Sequence, residues 1–364
     1  MKAVQKMRLR LKNKLEKIGN DPKVTAKAVG LRYSLNSEKG YYRKRKTNGF
    51  FYTDNTGNIL SDKDVLQRIK KLVIPPAWEN VWISPYENGH LQVTGYDKKG
   101  RKQYRYHPEW TKIRNQSKFY RLRRFALALP DIRQQVETDL NKKGMPYEKV
   151  VALVVKLLEL TNIRIGNEAY KKLYGSFGLT TLRDKHVKFE SSTVWFDFTG
   201  KKGVKHKIKL QSRRLANLVK KCRDIPGYEL FQYYDDDGKH HSIGSADVNA
   251  YLKEITGEDF TAKDFRAWAG SLNALCSFHE IGEHTSITDC KKKIVSVLDS
   301  VASKLGNTRS VCKKYYVHPT VIASYENGSI WNYKLVSDNK TSFNTEENAL
   351  LELLSNENIA EVVA

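Results

Sequence analysis

LGNTRSVCKKYYVHP, residues 305–319, sets Tyr315 and Tyr316 side by side directly after Lys313 and Lys314. A tyrosine that only fills a core has little use for so cationic an approach. A phenol that must lose its proton does, because its unperturbed pKa is about 10 and nearby positive charge favours the anion. The same stretch supplies Asn307, whose amide can donate a hydrogen bond. Its meaning depends on what other charged groups the chain can bring to it.

The chain brings many. Over 364 residues, 64 Lys and Arg face 40 Asp and Glu, a formal net charge of +24. With 40% hydrophobic and 11% aromatic residues the chain can bury a real core, enough for two or three domains rather than a disordered polycation. A folded protein this basic is expected to meet a polyanion, nucleic acid above all. The four cysteines, Cys222, Cys276, Cys290 and Cys312, have no CxxC spacing, which fits a reducing compartment better than a disulfide scaffold. No apolar run approaches the ~18 residues of a membrane span. The basic N-terminus MKAVQKMRLRLKNKLEKIGN lacks the apolar region of a secretory signal.

Along the chain, residues 1–30 read as a basic arm and linker. Residues 31–116 carry mostly β signals: FFYTDNTGNIL, the connector VIPPAW, and HLQVTGYDKKGRKQYRYH, a hairpin turning at DKKG. From about 117 the period changes. FYRLRRFALALPDIRQQVETDL and YEKVVALVVKLLELTNIRIGNEAYKKLYG read as helices, and TVWFDFTGKKGVKHKIKL as two strands joined by GKKG. Further helices are expected at SRRLANLVKKC, SADVNAYLKEI, AKDFRAWAGSLNALCSF, TDCKKKIVSVLDSVASKL and near SVCKKYY. The expected class is α+β: a small β-rich domain over 31–116, a larger mainly helical domain with a small β-hairpin over 117–340, and a helical tail over 341–364.

Three motifs mislead. HEIGEH spaces His279 and His284 five apart, not the four a helical zinc site needs. GKKG lacks the phosphate-binding loop pattern, and no GxGxxG opens a helix, so no nucleotide cofactor is indicated. YYDDDGKHH lacks calcium-loop spacing and reads as a solvated turn.

Breaking a phosphodiester without a metal needs fixed cations around the phosphate, a nucleophile in line, and an acid for the departing oxygen. Arginine suits the first task because it is always charged and binds phosphate two-pronged. Four stretches offer the parts. NIRIGNEAY puts Arg164 at the end of a strongly apolar helix. TGKKG puts Lys201 and Lys202 at a hairpin tip. AKDFRAWAGS puts Arg266 among Phe265, Trp268 and Ala269, where an unpaired charge is costly. LGNTRSVCKKYY adds Asn307 and the tyrosines.

In this order the stretches resemble the type IB DNA topoisomerases, in particular the short poxvirus and bacterial-type group. The resemblance runs over about residues 30–325 and is carried by IPPAW, RKQYRYHP, TNIRIGNEAY, GLTTLRDKHV, FTGKKGVKH, SADVNAYLKEITGEDFTAKDFRAWAG and LGNTRSVCKKYYVHP. It implies Tyr316 as nucleophile, nine residues after Asn307, with Tyr315 left to packing or DNA contact. It implies Arg164, Arg266 and Asn307 as phosphate ligands and Lys201 as general acid. Asn307 stands where the poxvirus enzymes carry histidine, so no titrating histidine is expected at that position.

The implied activity is nicking of one strand of duplex DNA through a 3′-phosphotyrosyl intermediate, relaxation of supercoils of either sign by strand rotation, and religation without ATP, metal or other cofactor. The implied partner is double-stranded DNA, held in a C-shaped clamp by a monomer. Arg101, Lys102, Gln103, Tyr104 and Tyr106 of RKQYRYH are implied DNA contacts. Tyr104 and Tyr106 share one face of a strand, with Arg101, Lys102 and Arg105 near for phosphates. The location would be cytoplasmic in a bacterium, or virion or host cell for a large DNA virus. The rival is a tyrosine recombinase, which uses the same Arg, Lys, Arg, Tyr order. Lys263–Arg266 departs from the HxxR of recombinases, and the N-terminal part is β-rich rather than helical.

Overall fold

The computed structural model describes residues 21–335 and 343–356, with side chains left out for 115–120. The basic stretch 1–20, residues 336–342 and the end of the tail, 357–364, lie outside the described residues. Two compact units divide the chain, residues 1–118 and 119–364. The class is α+β, as the sequence suggests.

Among the described residues the first unit begins with α1 (Pro22–Ala28), so the end of the arm is helical. Asp21 caps it, its carboxylate accepting from the Lys23 N–H at 2.7 Å. There follow β1 (Tyr41–Lys46), β2 (Gly49–Thr53), α2 (Lys63–Lys71), β3 (Glu79–Ile83), β4 (Leu91–Tyr96) and β5 (Lys102–Tyr106). The strands form one antiparallel sheet in the order β2-β1-β3-β4-β5, packed through Val81, Ile83 and Val93 on Ile69 of α2. The IPPAW connector is held by buried Arg43, whose guanidinium donates to the carbonyls of Ile74 (3.3 Å), Pro75 (3.0 Å) and Trp78 (2.6 Å). The β4–β5 hairpin turns at DKKG, where Gly100 adopts φ +69°. Helix α3 (Pro108–Leu140) starts earlier than the expected change of period, with proline at its first position.

In the second unit the core surrounds α4 (Tyr147–Thr161), whose VVALVV run is buried. A helical segment apolar on every side must be covered on every side. The helix expected to run on through Gly175 instead stops: Asn162 takes a left-handed turn (φ 55°), and its N–H bonds to the Leu158 carbonyl at 3.1 Å. After an extended link, α5 (Glu168–Tyr174) begins under an Asn167 cap and buries no residue. A three-stranded antiparallel sheet follows, β6 (Val187–Glu190), β7 (Thr193–Thr199) and β8 (Lys205–Gln211), in that order, with Lys201–Gly203 at the β7–β8 tip. Next come α6 (Arg213–Arg223), the small hairpin β9 (Gln232–Tyr234) and β10 (His240–Ser242), and α7 (Ser245–Thr256). The acidic YYDDDGKHH turn is organised by Asp235, which accepts from Lys239 N–H at 2.8 Å and contacts His241 Nε2 at 2.6 Å.

The chain then forms α8 (Ala262–Ile281), α9 (Ile287–Leu305), α10 (Arg309–Tyr315), α11 (Pro319–Glu326) and α12 (Thr345–Ser355). A reciprocal cap starts α8: Thr261 accepts from Lys263 N–H, and Asp264 accepts from Thr261 N–H at 2.8 Å. The C-terminal stretch set apart above as a tail contributes α12 to the core of this unit, burying Leu350, Leu353 and Leu354. In HEIGEH, the His279 ring meets Trp331 edge-on and His284 meets Tyr325. Among the described residues, no helix is long and apolar enough to cross a membrane.

Candidate active site

Four of the five candidates converge in the second unit, where helices α4 and α9 both end. Arg266 projects from α8 and is 4% exposed. Its guanidinium donates to the carbonyl of Asn162, which closes α4, and at 2.7 Å to that of Leu305, the last residue of α9. Two helix C-termini thus offer partial negative charge to a buried cation. Its Nε has no hydrogen-bond partner among the described residues. Arg164 lies in the extended link after α4, fixed through its carbonyl, which accepts from Leu179 N–H at 2.8 Å. GLTTLRD is therefore the backing strip of Arg164. A β-carbon on Gly178 would sit 2.5 Å from that carbonyl oxygen, so only glycine fits. The Arg164 guanidinium donates to the Gly306 carbonyl at 3.1 Å and to the Asn307 side-chain oxygen.

Among the described residues neither guanidinium has a carboxylate partner. Burial, and then the like charge of Arg266, lowers the Arg164 pKa; Tyr316 and Cys312 act the other way. Burial pushes the Cys312 thiol up to about 11 despite the two arginines, so it packs as an unreactive neutral group. A buried and a part-buried cation with carbonyls, an amide and an aromatic ring around them, and no carboxylate among the described residues, make an electrostatically incomplete site. An anion completes it.

Tyr316 caps α10 and is partly buried against the core, with the Arg266 guanidinium 5.1 Å from its ring centre. Its backbone is clasped. The Ser271 hydroxyl donates to its carbonyl at 3.2 Å and accepts from His318 N–H at 2.9 Å. A β-carbon on Gly270 would lie 2.7 Å from the same carbonyl oxygen. Tyr315 differs: it is 41% exposed, and its ring lies 5.4 Å from the Lys314 ammonium. Gly270 and Ser271 went unremarked in the sequence, although both follow Arg266 within RAWAGS.

Lys201 does not join these contacts. It is exposed at the β7–β8 tip, its ammonium 5.6 Å from the Tyr170 ring centre on α5. Between the tip and the arginines lies His206, which the sequence reading passed over. Its signal is parity: on β8, Lys205, Lys207 and Lys209 face out while His206, Ile208 and Leu210 face in.

In the first unit, the edge strand β5 shows Tyr104 and Tyr106 exposed and stacked, ring centres 6.0 Å apart, with the Lys102 ammonium 5.6 Å from Tyr104. Gln103 and Arg101 both bond Asp97, at 2.9 and 2.7 Å. Arg105 departs from the expectation of a phosphate contact. Strand parity sends it to the other face, where it donates to the carbonyls of Leu72 and Val73 (2.5 Å to the latter) after α2.

Residues 107–340 match the family model described as the catalytic core of eukaryotic DNA topoisomerase I. The chain belongs to the type IB DNA topoisomerase family. Residues 49–97 match a second model, the N-terminal domain of bacterial DNA topoisomerase IB. DNA topoisomerase 1B of Acanthamoeba polyphaga mimivirus is 33% identical over 298 residues, covering 79% of this chain and 88% of the relative. DNA topoisomerase I of Monkeypox virus and DNA topoisomerase 1B of Vaccinia virus (strain Copenhagen) are each 24% identical over 284 residues, covering 75% of this chain and 87% of theirs. These matches favour a type IB topoisomerase over a recombinase.

Proposed function

We propose that this topoisomerase cuts one strand of duplex DNA with Tyr316, at a phosphate held by Arg164, Arg266 and Asn307, while Lys201 protonates the departing oxygen. The observation that carries the reading is a guanidinium pair, Arg266 buried and Arg164 part-buried, with no carboxylate partner among the described residues, beside a tyrosine whose backbone is clasped by α8. A bridging phosphate supplies the missing anion. Because the Asn307 oxygen accepts from Arg164, its NH₂ group is left as the donor; one hydrogen reaches the Leu305 carbonyl at 3.5 Å, and the other is available to a non-bridging phosphate oxygen.

In the forward step the phenol loses its proton to solvent, the Tyr316 oxygen bonds phosphorus, and the bond to the 5′ oxygen breaks. Lys201 gives that oxygen its proton. The 3′-phosphotyrosyl ester keeps the energy of the phosphodiester, so the freed 5′-hydroxyl can reverse the step with no ATP. Between cut and rejoining, the strand rotates and supercoils of either sign relax. The protein's own cations perform the charge stabilisation. All five residues come from one unit of one chain, which supports action as a monomer. Tyr104, Tyr106 and Lys102 on β5 present a stacked aromatic and cationic edge suited to duplex contact, whereas Gln103 and Arg101 would have to exchange Asp97 for DNA.

The test is plasmid relaxation in EDTA without ATP. Wild type and Tyr315→Phe relax positive and negative supercoils, and Tyr316→Phe does not. Activity in Tyr316→Phe but not Tyr315→Phe would move the nucleophile by one residue. A wild type silent until magnesium is added would overturn the metal-free reading.

A further inference from the structure

His206 has no part in the reaction as written, yet it fills the space between two segments that carry members of the site. It lies opposite Phe198 in the β7–β8 ladder and stacks on that ring, centres 5.0 Å apart and planes 18° from parallel. A β-carbon on Gly200 would stand 2.7 Å from the imidazole Cδ2 and Nε2, and one on Gly306 would stand 2.4 Å from Cε1. Non-bonded carbon contacts that short do not persist in packed interiors. Both positions are therefore glycine because the ring takes their side-chain space. Gly200 directly precedes Lys201. Gly306 directly precedes Asn307, and its carbonyl accepts from Arg164.

Otherwise the tip is tied mainly to itself, through Gly200 N–H to the Val204 carbonyl at 2.7 Å and Gly203 N–H to the Gly200 carbonyl at 3.1 Å. Burial, then the charges of Arg164 and Arg266, lowers the His206 pKa, so the ring enters this cationic neighbourhood uncharged.

We propose that His206 is a positioning residue: its ring is the spacer that sets the Lys201 hairpin against the Gly306–Asn307 loop, so that Lys201 reaches the leaving oxygen of a phosphate held by Arg164 and Asn307. The inference rests on the reading of Lys201 as the acid. Without the ring, the Gly200–Gly306 gap loses its filler and the lysine loses its register. A displacement near 1 Å is enough to slow a positioned step by roughly 10- to 100-fold.

The experiment is single-turnover cleavage of a short duplex carrying either the natural oxygen or a sulfur at the bridging 5′ position. A thiolate, whose acid has a pKa near 8.5, departs without help, whereas an alkoxide needs a proton. His206→Ala is expected to be slowed roughly 10- to 100-fold on the oxygen substrate and to return close to wild type on sulfur, with duplex affinity and Tm nearly kept. His206→Phe, which keeps a ring in the gap, recovers most of the oxygen rate. His206→Gln carries the same oxygen-to-sulfur comparison should the alanine variant fold poorly.

Equal slowing of His206→Ala on both substrates overturns the proposal, because the ring would then support the phosphate loop or the fold instead of the lysine. A His206→Phe no faster than His206→Ala also overturns it, since ring volume would not be what matters. Lys201→Ala is run beside them. If sulfur fails to rescue Lys201→Ala, the acid assignment itself falls, and this inference with it. Rescue of Lys201→Ala but not of His206→Ala sinks the His206 proposal alone.

Discussion

Two arginine clusters of the second unit, one around Arg133 and one formed by Arg164 and Arg266, are built oppositely. Arg133 of α3 is met by carboxylates: Glu159 at 2.6 Å and Glu347 of α12 at 2.6 and 3.0 Å, the latter also accepting from the Trp268 indole at 3.3 Å. Burial alone would lower its pKa, but the two acids outweigh burial and raise it. Among the described residues Arg164 and Arg266 are met by carbonyls, one amide and the Tyr316 ring but by no carboxylate, and there burial and like charge push the Arg164 pKa down. Trp268 and Arg266 stand two residues apart on α8, so one helix touches both clusters. A closed ion pair joins elements of the fold. An arginine pair without its anion stores readiness for a ligand, and in the proposed reaction that ligand is the scissile phosphate.

The contrast breaks most visibly at Arg266. Arg266→Ala is expected to lower the single-turnover cleavage rate roughly 10²- to 10³-fold, as loss of a transition-state donor does, while thermal melting shifts far less than for the Arg133 cluster. Glu347→Ala should do the reverse. Removing one partner of a buried pair costs about 3 kcal/mol, a fall in Tm of about 6–12 °C for a unit of this size, with the cleavage rate of the folded fraction kept. If Glu347→Ala instead abolished cleavage without loss of Tm, the two clusters would not be separate in function.

Acid sharpens the same comparison. Burial would raise the Glu347 pKa, but its bonds to Arg133 outweigh burial and hold it below the ordinary value. An unfolded glutamate titrates near 4.3. The stabilisation is therefore fully present above about pH 4.5 and drains away as pH falls through the depressed folded value. Melting curves from pH 6 to 3 should show that acid limb in wild type and a weaker one in Glu347→Gln. The smallest effect belongs to the first unit. Lys102→Ala should reduce the slope of log affinity against log salt by about one, with little change in cleavage at saturating protein. For the wild type, affinity should fall roughly 10³-fold or more between 50 and 200 mM salt if about six to ten phosphates are contacted.

The motifs and their order, through the resemblance they carry, name Arg164, Arg266, Asn307 and Tyr316, which the fold brings together. The unusual environment of Arg266 shows in DFRAWAG, since an arginine among Phe265, Trp268 and Ala269 asks for a partner. What could not be read depends on geometry that sequence does not spell. The stop after Thr161 rests on a left-handed Asn162, and asparagine is a weaker breaker than glycine, so the apolar helix seemed to continue toward Gly175. Arg105 sits beside the exposed tyrosines in sequence, but strand parity turns it toward the end of α2. His206 hid in a lysine-rich strand because its role needs two glycines that lie 106 positions apart, Gly200 and Gly306. The α12 contribution was invisible for the same reason, Arg133 and Glu347 being remote in the chain.

Gly270 and Ser271 lie four and five residues after Arg266, about one turn of α8, and they grip the backbone of Tyr316. During strand rotation a broken DNA end bonded to that tyrosine would be moored to the same helix that carries Arg266, the cation proposed to hold the phosphate. Torque from the uncoiling duplex would then be taken up by the loose 5′ end as a swivel, while the moored end keeps its bearing for the return attack.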